Sequence, residues 1–204
     1  MQARIIRIAV ALVLGLVISA GIAWWQVRQT PPPQPSNTAT AASIGGPFTL
    51  TDHTGRTVTE QDLLGRYSLI YFGYSYCPDV CPTELGAMAR AIDLLGPQAD
   101  KVQPILITID PERDTVSHLS EYVALFHPRL VGLTGTPEQI ATAVKAYRVY
   151  AAKRPTEGGK SLDYLMDHSG FLYLMGPDGK FLRVFPAGTP GEDLAQDLRE
   201  RLAG

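Results

Sequence analysis

Cys77 and Cys81 are the only two cysteines of this 204-residue chain, and they stand four apart in Cys77-Pro78-Asp79-Val80-Cys81-Pro82. The apolar run Ser68 to Phe72 precedes them, and Leu85, Met88, Ala89, Ile92 and Leu95 follow at helical spacing before Gly96-Pro97. A strand, a short polar turn and a helix in that order form the start of an α/β unit. Both thiols then lie beyond the carboxyl end of the strand, where open α/β sheets collect function. Free cysteine is among the most buried residue types, but the interleaved prolines and aspartate describe a helix entrance and not a stretch of core.

Proline is favoured at the first helical position, so Pro82 points to Cys81 as the residue that opens the helix, with Cys77 in the turn before it. Pro78 offers a start one turn earlier. Either way the thiols sit near a helix N-terminus, whose partial positive charge favours the thiolate, while Asp79 acts against it. Residues four apart in a helix are about 6 Å apart at Cα, within the range of a disulfide. The same geometry lets both sulfurs meet one ion, so spacing alone does not choose between a soft metal and a redox disulfide.

A third ligand would help decide, and the chain offers four histidines, each of which can equally be a hydrogen-bonded or solvated structural residue. His53 falls in a predicted hairpin turn, His127 in a His-Pro loop and His118 within a helical pattern. His168, in Asp167-His168-Ser169-Gly170, stands at the entrance to the apolar strand Phe171 to Met175. Two thiolates and one imidazole are a soft set that suits copper, since Cu(I) accepts three ligands. Structural zinc takes four protein ligands, and no fourth is evident.

The N-terminus is a different kind of segment. Ile8 to Trp25 is apolar apart from glycine and one serine, and with Ile5 and Ile6 it reaches the length of a bilayer span. Arg4 and Arg7 precede it and Trp24-Trp25 close it, which leaves the N-terminus in the cytoplasm. A cleaved signal peptide is the competing reading, with Gly21-Ile22-Ala23 as its small-x-small site, but the apolar run is longer than a signal-peptide core. Residues 1–29 are thus expected to be a cytoplasmic stub and transmembrane anchor, 30–43, with Pro31, Pro32, Pro33 and Pro35, a Pro-rich linker, and 44–204 the functional domain. The expected location is a bacterial inner membrane, crossed once, with the domain in the periplasm. There the redox state of two cysteines becomes part of the function. A net charge of −2 gives no basic footprint for nucleic acid.

Along the domain, Phe48 to Leu50 and Thr57 to Thr59 flank His53-Thr54-Gly55 as a short hairpin. Val102 to Ile109 reads as a strand and Val116 to Phe126 as a helix capped by Asp114 or Thr115. Leu130 to Leu133 is a short strand, and Thr136-Pro137-Glu138-Gln139 is a capping box that opens a helix to about Tyr147. Gly170 to Met175 and Lys180 to Phe185 flank an Asp-Gly turn, and a last helix spans Glu192 to Leu202. The predicted fold is thioredoxin-like α/β: a central mixed sheet flanked by helices, with an N-terminal hairpin and an inserted β-hairpin.

These residues resemble the Sco/SenC family of membrane-anchored, thioredoxin-like copper proteins. The resemblance covers nearly all of Phe48 to Leu202. It is carried by Tyr71-Phe72-Gly73-Tyr74 before the cysteine motif, Ile109-Asp110-Pro111-Glu112-Arg113-Asp114-Thr115, Leu130 to Gly135, Tyr147-Arg148-Val149-Tyr150, Asp163-Tyr164 and Asp167-His168-Ser169. It implies copper, as Cu(I) or Cu(II), on Cys77, Cys81 and His168. It implies a metallochaperone for the CuA centre of cytochrome c oxidase subunit II, served by a periplasmic copper donor and a thiol reductant. Asp79 and Asp167 are expected to orient the imidazole, and Asp110 to Thr115 to be loop architecture. The alternative function is a thiol-disulfide oxidoreductase that maintains the cysteines of a copper apoprotein, with Cys77 and Cys81 as the redox pair. A thiol peroxidase on the same fold is a third. A general reductase is disfavoured because Asp167-His168-Ser169 stands where such proteins carry a proline.

Overall fold

The computed structural model describes residues 44–156 and 164–203. The expected transmembrane anchor and Pro-rich linker lie outside the described residues, as does Asp163. Among the described residues no helix is long and apolar enough to cross a membrane.

The hairpin β1 (Thr49–Asp52) and β2 (Thr57–Thr59) comes first, then β3 (Tyr67–Gly73), α1 (Val80–Leu95), β4 (Val102–Thr108), α2 (Val116–Ala124), β5 (Val131–Thr134) and α3 (Pro137–Ala146). They are followed by β6 (Ala151–Pro155), β7 (Tyr164–His168), β8 (Leu172–Met175), β9 (Phe181–Phe185) and α4 (Gly191–Ala203). Seven strands form one sheet in the order β2-β1-β5-β4-β3-β8-β9, and β6 and β7 form a separate two-stranded ribbon. β3, β4 and β5 are parallel to one another, and the other pairings are antiparallel, so the main sheet is mixed as expected.

Local chemistry explains most of these elements. Leu69, Ile70, Tyr71, Phe72, Ile105, Leu106 and Ile107 are all fully buried, so β3 and β4 read as unbroken apolar runs without alternation. α1 buries Cys81, Leu85, Met88, Ile92 and Leu95 and packs against α4. At α3 the Thr136 side chain accepts from the Gln139 N–H and the Gln139 side chain accepts from the Thr136 N–H, with Pro137 in the first turn. At α2 the cap is Thr115, not Asp114.

Two elements differ from the sequence reading. α1 starts at Val80 with Asp79 as its cap, so Cys81 lies inside the first turn and does not open the helix. Pro82 is tolerated there because the first N–H groups of a helix have no partner within it. The β6–β7 ribbon is a further hairpin that the sequence reading did not contain; the hairpin read at Gly170 to Phe185 is β8–β9. Ala151-Ala152-Lys153-Arg154-Pro155 is half-buried or exposed, with no apolar alternation to read. His168 consequently ends β7, paired with Ala151, and does not simply precede β8.

Candidate metal centre

Three segments meet beyond the carboxyl end of β3. Cys77 lies in the turn after β3, Cys81 in the first turn of α1 and His168 at the end of β7, and one ligand atom from each lies within 4.8 Å of the other two. Cys81 Sγ is 3.5 Å from His168 Nε2. The Cys81 N–H donates to Cys77 Sγ at 3.4 Å, so the start of the helix points a free donor at that sulfur. Both cysteines are buried, Cys77 at 8 % exposed being the less enclosed and Cys81 fully buried.

The two thiols are electrostatically unequal. The Cys81 side chain beside Cys77 stabilises its thiolate and outweighs burial, with His168 and the Asp79 and Cys81 N–H groups helping, so Cys77 loses its proton well below the usual thiol range. Cys81 is pushed up, first by Cys77 and then by burial. Both cysteines are free thiols here. A metal that takes both sulfurs therefore releases the Cys81 proton on binding.

Aromatic rings wall the site. The Tyr71 hydroxyl donates to Cys81 Sγ at 3.6 Å. The rings of Tyr71 and Tyr74 each meet the His168 imidazole edge-on at 6.0 Å. Gly73 lies directly beneath: a Cβ there would come 2.6 Å from the Tyr71 ring and 3.1 Å from Cys81 Sγ. His168 Nδ1 is 3.1 Å from the Ser169 carbonyl, which can only accept, so Nδ1 carries a proton and Nε2 is the nitrogen that faces the sulfurs. That carbonyl does what was expected of carboxylates. Asp167 pairs instead with Arg154 at 3.3 Å, and Asp79 is exposed and makes no side-chain cap bond.

The other histidines serve the fold. His53 Nδ1 accepts from the Gly132 N–H at 3.1 Å, and His127 Nδ1 from the Arg129 N–H at 3.0 Å. His118 Nε2 is 2.8 Å from Ser75 Oγ, and its ring stacks on Tyr76. The Ser75 hydroxyl donates to Asp114, so its proton is committed and His118 is the donor to it. Ser75, His118 and Asp114 are thus not a nucleophile and its base. Asp114 is buried and also accepts from the Ser75 N–H at 3.1 Å and the Thr108 hydroxyl at 2.6 Å, tying the Cys77 turn to the end of β4. Asp110 to Thr115 is loop architecture, as read, but its part in holding the Cys77 turn went unforeseen, as did those of Tyr71, Tyr74, Arg113 and Tyr164. Their motifs were visible, but no spacing rule says that they meet.

Similarity to known proteins agrees with this geometry. The protein sco1 of Schizosaccharomyces pombe is 44% identical over 195 residues, which cover 92% of this chain and 74% of that one. The structure of Bradyrhizobium japonicum ScoI with copper bound is 46% identical, covers 78% of this chain and 99% of that chain, and superposes with a TM-score of 0.72. The structure of BsSco, described as having a disulfide switch and as a member of the Sco family of cytochrome c oxidase assembly proteins, is 27% identical, covers 78% of this chain and 94% of that one, and has a TM-score of 0.57. A family model described as SCO1/SenC matches residues 36–203, well over half the chain. On that match, with a cysteine pair and a histidine brought together on a thioredoxin-like sheet, the chain belongs to the SCO1/SenC family.

Proposed function

We propose that Cys77, Cys81 and His168 bind one copper ion and that the protein delivers copper for the CuA centre of cytochrome c oxidase subunit II. The observation that carries this reading is the convergence of two thiol sulfurs and one imidazole nitrogen within 4.8 Å. Among the described residues no fourth histidine, cysteine or carboxylate joins the group, which suits Cu(I) better than structural zinc. The copper-bound Bradyrhizobium relative and the oxidase-assembly role given to BsSco support it. Metal analysis of the reduced protein tests it. One copper per chain is expected, with Cys77→Ser and Cys81→Ser losing more affinity than His168→Ala, because Cu(I) tolerates two-coordination by sulfur. Unchanged stoichiometry and affinity in Cys77→Ser would remove the site.

We infer further that residues 1–29 anchor the chain in a bacterial inner membrane with the N-terminus in the cytoplasm, and that 30–43 hold domain 44–204 off the periplasmic surface. Support comes from the apolar run Ile8 to Trp25, the arginines before it and the prolines after it. A periplasmic donor loads the copper and a thiol reductant restores the dithiol.

A second reading, thiol-disulfide exchange with the cysteines of a copper apoprotein, is favoured by the lowered Cys77 thiolate beside a second free thiol. The two are compatible, since oxidation of the dithiol releases its metal.

A further inference from the structure

β7 has no strand pairing with the main sheet; among the described residues its only ladder is to β6. The position of His168 therefore depends on how side chains hold the ribbon down. Arg113, from the turn between β4 and α2, reaches both arms of the metal centre. Its Nε pairs with Asp110 Oδ2 at 2.5 Å, and Asp110 Oδ1 accepts from the Tyr164 hydroxyl at 2.6 Å. Its Nη1 donates to the Tyr164 carbonyl at 3.1 Å, and its guanidinium lies 3.8 Å over the Tyr164 ring. The same guanidinium is 4.7 Å from the centre of the Tyr76 ring and 5.7 Å from that of Tyr74. Tyr164 opens the strand that ends on His168, and Tyr76 immediately precedes Cys77. Tyr74 adds a second tie, its hydroxyl accepting from the Met166 N–H at 3.1 Å. The Arg113 side chain is 10% exposed, so these contacts are made largely out of water.

We propose that Arg113 is a positioning residue: it docks the β6–β7 ribbon on the Cys77 turn and thereby presents the His168 imidazole as the third donor. The proposal rests on the copper reading above for its metal readout, while the docking itself is a property of the apoprotein. A planar guanidinium stacks on Tyr164 and Tyr76 while its edge nitrogens bond Asp110 and the Tyr164 carbonyl. Lysine, a point charge on a flexible stem, satisfies Asp110 but not that fork. None of the contacts described above is to Cys77, Cys81 or His168, so they act on the metal centre through the ribbon.

The test compares full-length Arg113→Ala, Arg113→Lys, His168→Ala and the Arg113→Ala/His168→Ala double variant. Cu(I) affinity is measured by chelator competition, coordination by copper X-ray absorption, and Met166 amide exchange by NMR on the metal-free protein. Arg113→Ala is expected to lose about 10-fold or more in affinity, as residues supporting a ligand do, and to lose the nitrogen contribution while keeping both sulfurs. In the His168→Ala background it should cause no further loss, and Arg113→Lys should not restore the nitrogen ligand. Additive losses, or an intact nitrogen ligand in Arg113→Ala, would overturn the proposal. Met166 exchange faster in Arg113→Ala than in wild type is expected in the apoprotein; equal protection overturns the docking claim whatever the metal does. A wild-type protein that binds no copper would instead sink the copper reading, with Met166 exchange still deciding the role of Arg113. Should Arg113→Ala fail to fold, the same measurements on Arg113→Lys decide the matter, and retained affinity, nitrogen coordination and Met166 protection there would refute it.

Discussion

The Cys81 N–H aimed at the Cys77 sulfur and the burial of Cys81 give two identical side chains different work. Cys77 is the ready thiolate and the less enclosed one; Cys81 is the protonated partner held under the Tyr71 hydroxyl. That arrangement needs Gly73, because Tyr71 and Cys81 occupy the space that a side chain would fill. Neither neighbour is a flexible chain end, since both are fully buried. Gly73→Ala is therefore expected to destabilise the protein by about 1–3 kcal/mol through overpacking, and to weaken copper binding by displacing Cys81. Denaturant unfolding and copper competition on the same preparation check both parts; wild-type values in both would mean that the sheet yields at this point.

Among the elements, the β1–β2 hairpin shows how a carboxylate can set a turn. Asp52 Oδ1 accepts from the Thr54 N–H and hydroxyl and from the Arg56 N–H, at 2.6–3.0 Å, and Oδ2 takes the Arg56 side chain. Burial acts to raise its pKa, but these hydrogen bonds together outweigh it and hold the carboxyl well below the usual carboxylate range. A folded-state pKa below the unfolded one means that the ionised Asp52 stabilises the fold in full above the ordinary value and is lost as pH falls through the folded one. Asp52→Asn should cost about 1–3 kcal/mol at neutral pH. The deficit against wild type should shrink as pH falls below the ordinary carboxylate value. Arg56 is 78% exposed, so the hydrogen bonds and not the ion pair carry the effect, and added salt should change it little. Unfolding free energies of both proteins across pH test the sign.

For the protein as a whole, the proposed site would couple redox state to metal loading. A disulfide between Cys77 and Cys81 removes two of three donors together, so the oxidised protein should show no submicromolar copper binding. Copper titration after mass spectrometry has confirmed thiol loss is the check, and tight binding at His168 alone would abolish the coupling. In a cell, deleting the gene should lower the activity of a CuA-containing oxidase, most when copper is scarce, and leave a quinol oxidase without that centre unchanged. Respiration assays with each oxidase as sole terminal enzyme separate this from a general thiol role, under which both would fall.

Short-range features are legible in the amino-acid sequence alone. The apolar runs of β3 and β4, the capping box at Thr136 and the Asp-Gly turn between β8 and β9 are set by contacts within a few residues, and so is the meeting of Cys77 with Cys81. The ribbon was not legible, because its exposed strands carry no apolar alternation; they exist through pairing with each other and through Tyr164, Arg113 and Tyr74. His168 lies 87 positions from Cys81; its place before an apolar strand marks it as a candidate, and the family resemblance, not spacing, makes it the third donor. Periodicity reports which face of one segment is apolar. Which segments then meet is decided by the packing of all of them at once, and it is that packing which brings a ring nitrogen to within 3.5 Å of a buried sulfur.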